Sequence, residues 1–363
     1  MTRDKLQKQA ADLLLKKRRL VCQWATGTGK SGIVLTFLKE HPTYSCLIFV
    51  PEANNIQNWL DEFEKFGIST EKMKIACYAS MQKFKRTSWD LLVFDEAPHI
   101  NTQKRLEVCK TLYGEYILAL GAVMKEEEVR ALESEYGEFE RDSLPITKAM
   151  KLGLLPYPEI LVCHLDIEKV YSTQYYRGRA YSPKAYLELL NTQIRQQYQK
   201  YCSERNDKYL TQMKILGSKR KLFLGEMKAT ALSHICNNLQ SNNRRFLCFC
   251  SSIAQAETLG GENAFTSKTA TSKKLLQRFN NHDINSLYVV GKLIEGQNLK
   301  DIECGVIGLL GNSIRIAVQE LGRIMRSKNP RIYVLVFDGT KDTSFLTSIT
   351  SQIPETYIKH YRL

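Results

Sequence analysis

The sequence lacks the features typical of membrane-spanning, secreted, repetitive, disordered and fibrous proteins. No run of about 18 apolar residues occurs in the 363-residue chain, so a transmembrane helix is not expected. Residues 1–5 are polar and no signal-peptide segment follows them, so we do not expect secretion. Internal repeats and low-complexity tracts are also missing. With 43% apolar and 25% charged residues, the composition excludes disordered and fibrous classes.

Paired cysteine motifs are absent as well. The chain has 10 cysteines but no Cys-x-x-Cys, and Cys248 and Cys250 flank Phe249 in an apolar run. We expect reduced, mostly buried thiols of a cytoplasmic protein. No zinc site is expected, because ligand spacing is missing from His41, His164, His234, His282 and His360.

Positive charge is in excess, with 52 Lys+Arg against 38 Asp+Glu and a net charge of +14. This balance favours a polyanionic partner. Residues 169–228 hold 13 basic and 4 acidic residues and eight of the 18 tyrosines, whereas residues 125–142 hold eight acids and three bases. Such asymmetry indicates different partners or differently solvated helices.

Short apolar runs separated by helical stretches predict two α/β domains with mostly parallel sheets. We place the domains at 1–155 and 156–363, because two prolines interrupt any helix within 153–158. Residues 169–228 contain no strand candidate and are predicted to form a helical basic insertion in the second domain. The predicted strands are 20–24, 46–50, 91–95, 116–120, 159–166, 245–250, 286–290, 304–310 and 331–338.

A glycine-rich loop follows the first of these strands and precedes a helical stretch at 33–38. In this context backbone N–H groups wrap a phosphate chain at a helix N-terminus. Lys30 would reach the β- and γ-phosphates, and the Ser31 hydroxyl would ligate Mg²⁺. A chance glycine turn is the alternative. The residues predicted to bind nucleotide here are Thr26, Gly27, Thr28, Gly29, Lys30 and Ser31.

Two acids lie at the end of an apolar run: Asp95 is the last residue of 91–95, and Glu96 directly follows it. Asp95 would hold Mg²⁺, and Glu96 would orient and deprotonate the attacking water. A strand ending in Asp-Glu is common by itself. Following a phosphate loop in this order, it predicts the second half of an ATPase site.

A third group of polar residues lies at 319–326. Gln319, Arg323 and Arg326 share one face of a predicted helix, and the two arginines could neutralise charge on a transferring phosphate. A solvated basic helix end is the alternative.

The order of these motifs resembles superfamily-2 helicases and translocases, from about Gln7 to Asp338. The resemblance is strongest to the branch with UvsW-type phage, restriction-enzyme-type (type III) and Swi/Snf-like proteins. It implies two RecA-like domains that close on ATP, with Gln7 contacting adenine. Residues 50–52, with Pro51, resemble the motif that touches the nucleic-acid backbone. Gly296 and Asn298 lie in a match to motif V and Gln319 in a match to motif VI, and all three are expected at the nucleotide.

Three departures from the family pattern occur, and the first two touch parts that couple hydrolysis to strand movement. Pro98 replaces the usual His or Asp of motif II, and residues 121–123 read Gly-Ala-Val where the family has Ser-Ala-Thr. Glu320 also stands where one branch has arginine. ATP hydrolysis is therefore better supported than vigorous unwinding.

The basic, tyrosine-rich segment 169–228 is predicted to track a nucleic-acid backbone while tyrosines stack or pack. A solvated helical arm is the alternative. The basic residues assigned to phosphates are Arg177, Arg179, Lys219, Arg220 and Lys221.

These observations predict an ATP- and Mg²⁺-dependent helicase or translocase acting on single-stranded or branched DNA, or on RNA. We expect a cytoplasmic protein, in the host cytoplasm if phage-encoded, without a membrane partner. The oligomeric state is left open, and a monomer is compatible with the sequence. One alternative is a stimulated ATPase, annealing or binding protein with weak or no unwinding. Another is a packaging-type ATPase with a nuclease domain, which the helix at 319–326 disfavours.

Overall fold

The computed structural model describes residues 2–267, 269, 272–290, 299, 301–309, 327–351 and 353–363. These residues form two compact units, the first ending at Pro156 and the second beginning at Tyr157. Each unit is built on its own parallel sheet flanked by helices, so the predicted tandem α/β fold is confirmed.

The first unit has a six-stranded parallel sheet in the order β3-β2-β4-β5-β1-β6. Its strands are β1 (Arg19–Trp24), β2 (Cys46–Val50), β3 (Met73–Cys77), β4 (Ser88–Phe94), β5 (Tyr113–Gly121) and β6 (Glu140–Leu144). Its helices are α1 (Arg3–Lys17), α2 (Ser31–Glu40), α3 (Ala53–Phe66), α4 (Gln103–Cys109), α5 (Glu126–Tyr136) and α6 (Ile146–Lys151).

The position of β1 and β4 in this sheet sets up the site. All five residues of β2 are buried, and β1 and β4 end in buried residues, as expected for strands covered on both faces. One strand, β5, separates β1 from β4, with Gln23 opposite Gly121 and Phe94 opposite Ala119. The glycine loop after β1 and the acids after β4 therefore leave the same edge of the sheet.

The second unit has a seven-stranded parallel sheet in the order β11-β12-β10-β13-β14-β7-β15. These strands are β7 (Glu159–Leu165), β10 (Phe246–Cys250), β11 (Ala264–Phe265), β12 (Ser286–Val290), β13 (Cys304–Ile307), β14 (Arg331–Phe337) and β15 (Ile358–Arg362). The helices of its described residues are α7 (Pro183–Glu204), α8 (Asp207–Glu226), α9 (Ala229–Ser241), α10 (Ile253–Gly260), α11 (Ser272–Asn280) and α12 (Lys341–Thr350).

The prediction that 169–228 contains no strand is wrong. Two three-residue strands, β8 (Gln174–Tyr176) and β9 (Arg179–Tyr181), pair antiparallel as a hairpin. Its two-residue turn has positive φ at both Arg177 (50°) and Gly178 (75°), the combination that a type I′ turn requires. Such short strands lack the apolar run by which longer strands are recognised.

The predicted helices of this segment are α7 and α8, of 22 and 20 residues, which pack against each other as a long helical pair. The N-terminal end of α7 and the C-terminal end of α8 belong to the core of the second unit. The buried residues there are Tyr186, Leu187, Leu190, Phe223 and Leu224. The insertion is therefore anchored by apolar packing at its base.

All ten cysteines are free, and eight of them are buried, as expected for reduced thiols. Within the described residues, none of the helices is both long and apolar enough to span a bilayer.

Candidate nucleotide site

The loop between β1 and α2 has the backbone of a phosphate-binding loop. Gly27 and Gly29 both have φ of +86°, a conformation that side chains oppose. The fully buried Thr28 closes the loop, because its hydroxyl donates to the carbonyl of Ala25 at 2.7 Å. The Thr26 hydroxyl oxygen is buried without a hydrogen-bond partner among the described residues. The loop is thus rigid and retains polar capacity for a ligand.

Helix α1 supports this loop from the side. The Gln7 amide Nε2 donates to the carbonyl of Gly29 at 2.8 Å. A Cβ at Gly32 would lie 2.1 Å from the same nitrogen, so glycine is required there for Gln7 to approach. Arg3 also donates to the carbonyl of Gly27, at 3.4 Å. The structure thus places Gln7 at the glycine loop, whereas its contact with adenine stays a prediction; Arg3 was not predicted.

Lys30 and Ser31 begin α2. The Lys30 ammonium donates to the carbonyl of Trp24 at 3.2 Å, which holds it under the loop. The Ser31 hydroxyl is 3.4 Å from Oε2 of Glu62 on α3, a long hydrogen bond. Glu62 was not predicted to take part in the site. Its place beside Ser31 adds a carboxylate to the predicted metal ligands.

Asp95 directly follows β4 and is held by two neutral aromatic donors. The indole N–H of Trp59 donates to Oδ2 of Asp95 at 3.0 Å, and the Tyr78 hydroxyl donates to its main-chain oxygen at 2.9 Å. Burial, together with the charge of Glu96, raises the pKa of Asp95 to about 6; the bond from Trp59 and the charge of Lys30 oppose this rise. Trp59 is buried, so it packs in the core of the unit as well as orienting Asp95.

Glu96 has a left-handed backbone, with φ of 49° and ψ of 55°. A non-glycine residue in this region is strained by about 1–3 kcal/mol, and such strain clusters at functional sites. Neighbouring bonds hold the conformation: Asp95 N–H donates to Phe49 at 2.9 Å, and His99 N–H donates to the carbonyl of Glu96 at 3.0 Å. The second acid is thereby turned sharply out of the strand direction.

The residues present fit a magnesium nucleotide better than a structural metal. Within the described ranges, no group of three His, Cys, Asp or Glu side chains is arranged to hold a metal ion. Asp95 also forms no ion pair with a described cationic side chain. Mg²⁺ needs only one or two protein ligands because it keeps several waters and binds substrate phosphates. Ser31 and Asp95 match that donor set.

Two of the departures from the family pattern lie side by side. A Cβ at Gly121 would be 3.0 Å from Cγ of Met124 and 3.6 Å from Cδ of Pro98. The main-chain oxygen of Met124 in turn accepts from Gln23, at 2.7 Å. Glycine at position 121 therefore allows Met124 and Pro98 to pack closely at this corner of the site.

The basic residues assigned to nucleic acid are in two different environments. Arg177 and Arg179 are exposed on the β8–β9 hairpin. Lys219, in contrast, lies over the rings of Tyr176 and Tyr186, at 5.4 and 5.8 Å.

Arg220 is half-buried and donates to Oδ1 of Asn191 at 2.7 Å, and Lys221 also interacts with another group of the chain. Lys219 and Arg220 thus join α8 to the hairpin and to α7. Pro51 follows β2 at the same sheet edge as Asp95. The other predicted site residues lie outside the described residues: Gly296, Asn298, Gln319, Arg323 and Arg326.

Comparison with known proteins gives a consistent result. Residues 4–88 match the family described as DEAD/DEAH box helicase. No curated protein sequence matches the chain. The fold is similar to the helicase domain of Hef from Pyrococcus furiosus, with 13% identity, a TM-score of 0.58, and coverage of 94% of this chain and 97% of that chain.

It is also similar to Dbp5 from S. cerevisiae in a structure bound to RNA and ADP BeF3. The identity is 12% and the TM-score 0.60, over 99% of this chain and 89% of that chain. These similarities show the fold, which is a tandem pair of RecA-like domains.

Proposed function

We propose that the protein is an ATP hydrolase of the helicase or translocase type, which couples hydrolysis to movement along nucleic acid or to its remodelling. One observation carries this proposal: the glycine loop with Lys30 and the strained Asp95–Glu96 pair leave the same edge of one sheet. The match of residues 4–88 to DEAD/DEAH box helicases supports it.

The glycine loop would bind the phosphates of ATP. The backbone N–H groups of Gly29 and Lys30 donate to no other described group, so they are available to phosphate oxygens. Lys30 would exchange its bond to Trp24 for one to the β- and γ-phosphates. Gln7, fixed against Gly29, would sense whether the loop is occupied.

Ser31 and Asp95 would hold Mg²⁺, with Glu62 close enough to Ser31 to order its water shell. Bound Mg²⁺ neutralises charge on the β- and γ-phosphate oxygens. Trp59 keeps one oxygen of Asp95 in a fixed direction, so the other is left to face the site. The pKa of Asp95, raised to about 6 by burial, still leaves this carboxyl mainly ionised at neutral pH.

Glu96 would accept the proton of the attacking water. Its left-handed backbone points the side chain away from the path of β4, and Asp95 is the carboxyl that remains near Lys30. Arg323 and Arg326 of the second domain would stabilise charge on the transferring phosphate, a role worth about 10³-fold or more in turnover.

The proposed partner is single-stranded or branched DNA, or RNA, since the chain carries a net charge of +14. Membership of the UvsW-type, restriction-enzyme-type and Swi/Snf-like branch, a phage origin and a cytoplasmic location are part of the same proposal.

A second candidate function is a nucleic-acid-stimulated ATPase that anneals or binds strands with weak unwinding. The packing of Gly121 against Met124 and Pro98 favours it, because both hydroxyls of the family's third motif are missing at this corner. The two candidates differ in the ratio of unwinding to hydrolysis.

ATPase assays with and without DNA and RNA test the proposal. Glu96→Gln keeps the shape but removes the base, so ATP should still bind while turnover falls by at least about 10²-fold. Glu64→Gln, an exposed carboxylate on α3, is the control and should leave turnover unchanged. Normal turnover in Glu96→Gln would exclude the assigned chemistry, and absence of stimulation by any strand would exclude the helicase class.

A further inference from the structure

The β8–β9 hairpin and the residues before it expose two tyrosine rings. Tyr171 is 100% exposed and Tyr175 is 75% exposed. Tyr175 is four positions after Tyr171, so their Cα atoms are at most about 14 Å apart. Large aromatic surfaces left in water this close together indicate a binding surface rather than a packing defect.

The hairpin holds the Tyr175 ring in place by packing on α7. Its inner face carries Tyr176 and Tyr181, whose ring centroids lie 6.5 and 6.4 Å from that of the buried Tyr186. Gln193 on α7 also donates to the Tyr176 hydroxyl at 3.1 Å. Tyr175 pairs with Ala180 across the hairpin, so both belong to the opposite, outer face. With only an alanine methyl beside it, the Tyr175 ring has room for a planar ligand.

Positive charge predominates around the rings, with Glu168 as the nearest acid in the sequence. Residues 171–187 contain three basic residues and no Asp or Glu. Arg177 in the turn and Arg179, which is opposite Tyr176 at the start of β9, are both exposed, and Arg177 lies 5.4 Å from the ring of Tyr176. Lys184 pairs with Glu168 at 2.5 Å, which leaves the two arginines as the cations free for a ligand. The surface therefore combines flat aromatic rings with positive charge.

A groove of about 610 Å³ adjoins Tyr171. Its walls include the hydroxyl groups of Ser172, Thr173 and Ser182, which donate readily to phosphate oxygens. A strand whose base lies on Tyr171 would thus find hydroxyl donors beside the ring.

We propose that Tyr171 and Tyr175 form a stacking site for the unpaired bases of a single-stranded nucleic acid, with Arg177 and Arg179 contacting its phosphates. Only unpaired bases offer a free face to a tyrosine ring, so duplex regions are not ligands for this site. The inference rests on the proposed function for its class of partner. It goes further by separating base contacts on the hairpin from the helical residues Lys219 and Arg220.

The test compares two single strands of equal length and charge without nucleotide, one with bases and one abasic. Tyr171→Ala and Tyr175→Ala should each weaken binding of the base-bearing strand roughly 5- to 150-fold and leave the abasic strand unchanged. Tyr175→Phe should restore binding. Tyr198→Ala is the control, because Tyr198 is 55% exposed on α7 but lies outside the hairpin.

The arginine variants should change the affinity for the two strands in a different way. Arg177→Ala and Arg179→Ala should weaken both strands equally, and each should reduce the slope of log affinity against log salt by about 0.7. Circular dichroism and basal ATPase of every variant should match those of the unmodified protein.

Three outcomes would overturn the inference: tyrosine variants that bind as the unmodified protein does, equal losses on both strands, or failure of the unmodified protein to bind any single strand. If strands nevertheless stimulate ATPase normally in the tyrosine variants, the proposed function stands and only the hairpin assignment fails. Absent hydrolysis together with absent binding would remove the proposed function itself.

Discussion

Asp95, directly after β4, and Asp342, five residues after β14, are carboxylates of the two units whose charges are balanced differently. In the second unit, Asp342 follows β14 and pairs with Lys228 at 2.7 Å, and both side chains are at most 3% exposed. Lys228 also donates to the carbonyl of Gly308 at 3.0 Å, and Asp342 accepts from the N–H of Phe337. In the first unit, Asp95 is only partly buried, and the donors to its side chain are neutral: the indole of Trp59 and the main-chain N–H of Glu96.

This difference separates a structural carboxylate from a functional one. A buried charge without a partner is costly, so Lys228 and Asp342 neutralise each other and are sealed from water. Burial lowers the pKa of Lys228, and the charge of Asp342 opposes this shift. Asp95 forms no ion pair with a described cationic side chain, and only the more distant charge of Lys30 offsets its negative charge. The first unit therefore carries a local negative charge that a cation bound with the nucleotide would neutralise.

Breaking the sealed pair should have the largest effect. Lys228→Met leaves Asp342 buried and unpaired, so we expect the second unit to lose about 3–5 kcal/mol of stability in urea unfolding. Adding Asp342→Asn should recover most of the loss. Lys184→Met, at an exposed pair, should not change stability measurably. A small loss in Lys228→Met would mean that water enters the pair.

Removing the Lys30 ammonium from the first unit should lower ATP turnover and leave the stability of the protein unchanged. Lys30→Ala should lower ATP turnover by about 10²–10³-fold, because the charge under the glycine loop is lost. Lys39→Ala, at an exposed position of the same helix, is the matched control. Equal turnover in the two variants would remove Lys30 from the site.

Neutralising the unbalanced carboxylate should stabilise the protein. The pKa of Asp95 is raised above its ordinary value, to about 6, so its contribution to stability is present at low pH and is lost as pH rises through 6. Asp95→Asn should therefore be more stable than the unmodified protein by roughly 1–2 kcal/mol at pH 7.5 in metal-free buffer, allowing for the partial exposure of Asp95. The difference should vanish near pH 4. A destabilised variant at pH 7.5 would contradict the comparison.

Removing the indole donor should have the smallest effect. Trp59→Phe takes away a bond that favours ionised Asp95, so the pKa of Asp95 should rise further above 6. The pH-dependent part of the stability loss should be about 1 kcal/mol, the net value of one hydrogen bond. Thermal unfolding from pH 4 to 8 measures it; a loss independent of pH would assign Trp59 to packing alone.

The central strands could be predicted because both of their faces are buried. Strands β2, β10 and β12 are continuous apolar runs and were predicted with correct or nearly correct bounds. The missed strands of the two large sheets are β3, β6, β11 and β15, and all four lie at sheet edges. Strand β11 has only two residues, and polar residues interrupt or dominate the other three. An edge strand has one neighbour and needs less apolar surface, so its sequence resembles that of a loop.

The site shows the same limit. Lys30, Ser31 and the two acids follow from local patterns, but Trp59, Glu62 and Arg3 reach the site only through packing of α3 and α1. The one available signal was the spacing of Trp59 and Glu62, which places both on one face of a helix.

The histidines give a second example of contacts that the sequence does not predict. His164 lies between Asp338 at 2.6 Å and His360 at 2.8 Å, although no sequence spacing relates them.

The distribution of thiols has a practical consequence for following strand binding. Cys202, near the end of α7, is exposed, while Cys77 is half-buried and the other eight cysteines are buried. Burial raises the pKa of the thiols of Cys163 and Cys304 to about 11, so they stay protonated and unreactive towards alkylating reagents. A maleimide dye should therefore attach selectively at Cys202 in the unmodified sequence. That single label would sit on the helical pair that carries the hairpin and would report its contacts by fluorescence without any engineered cysteine.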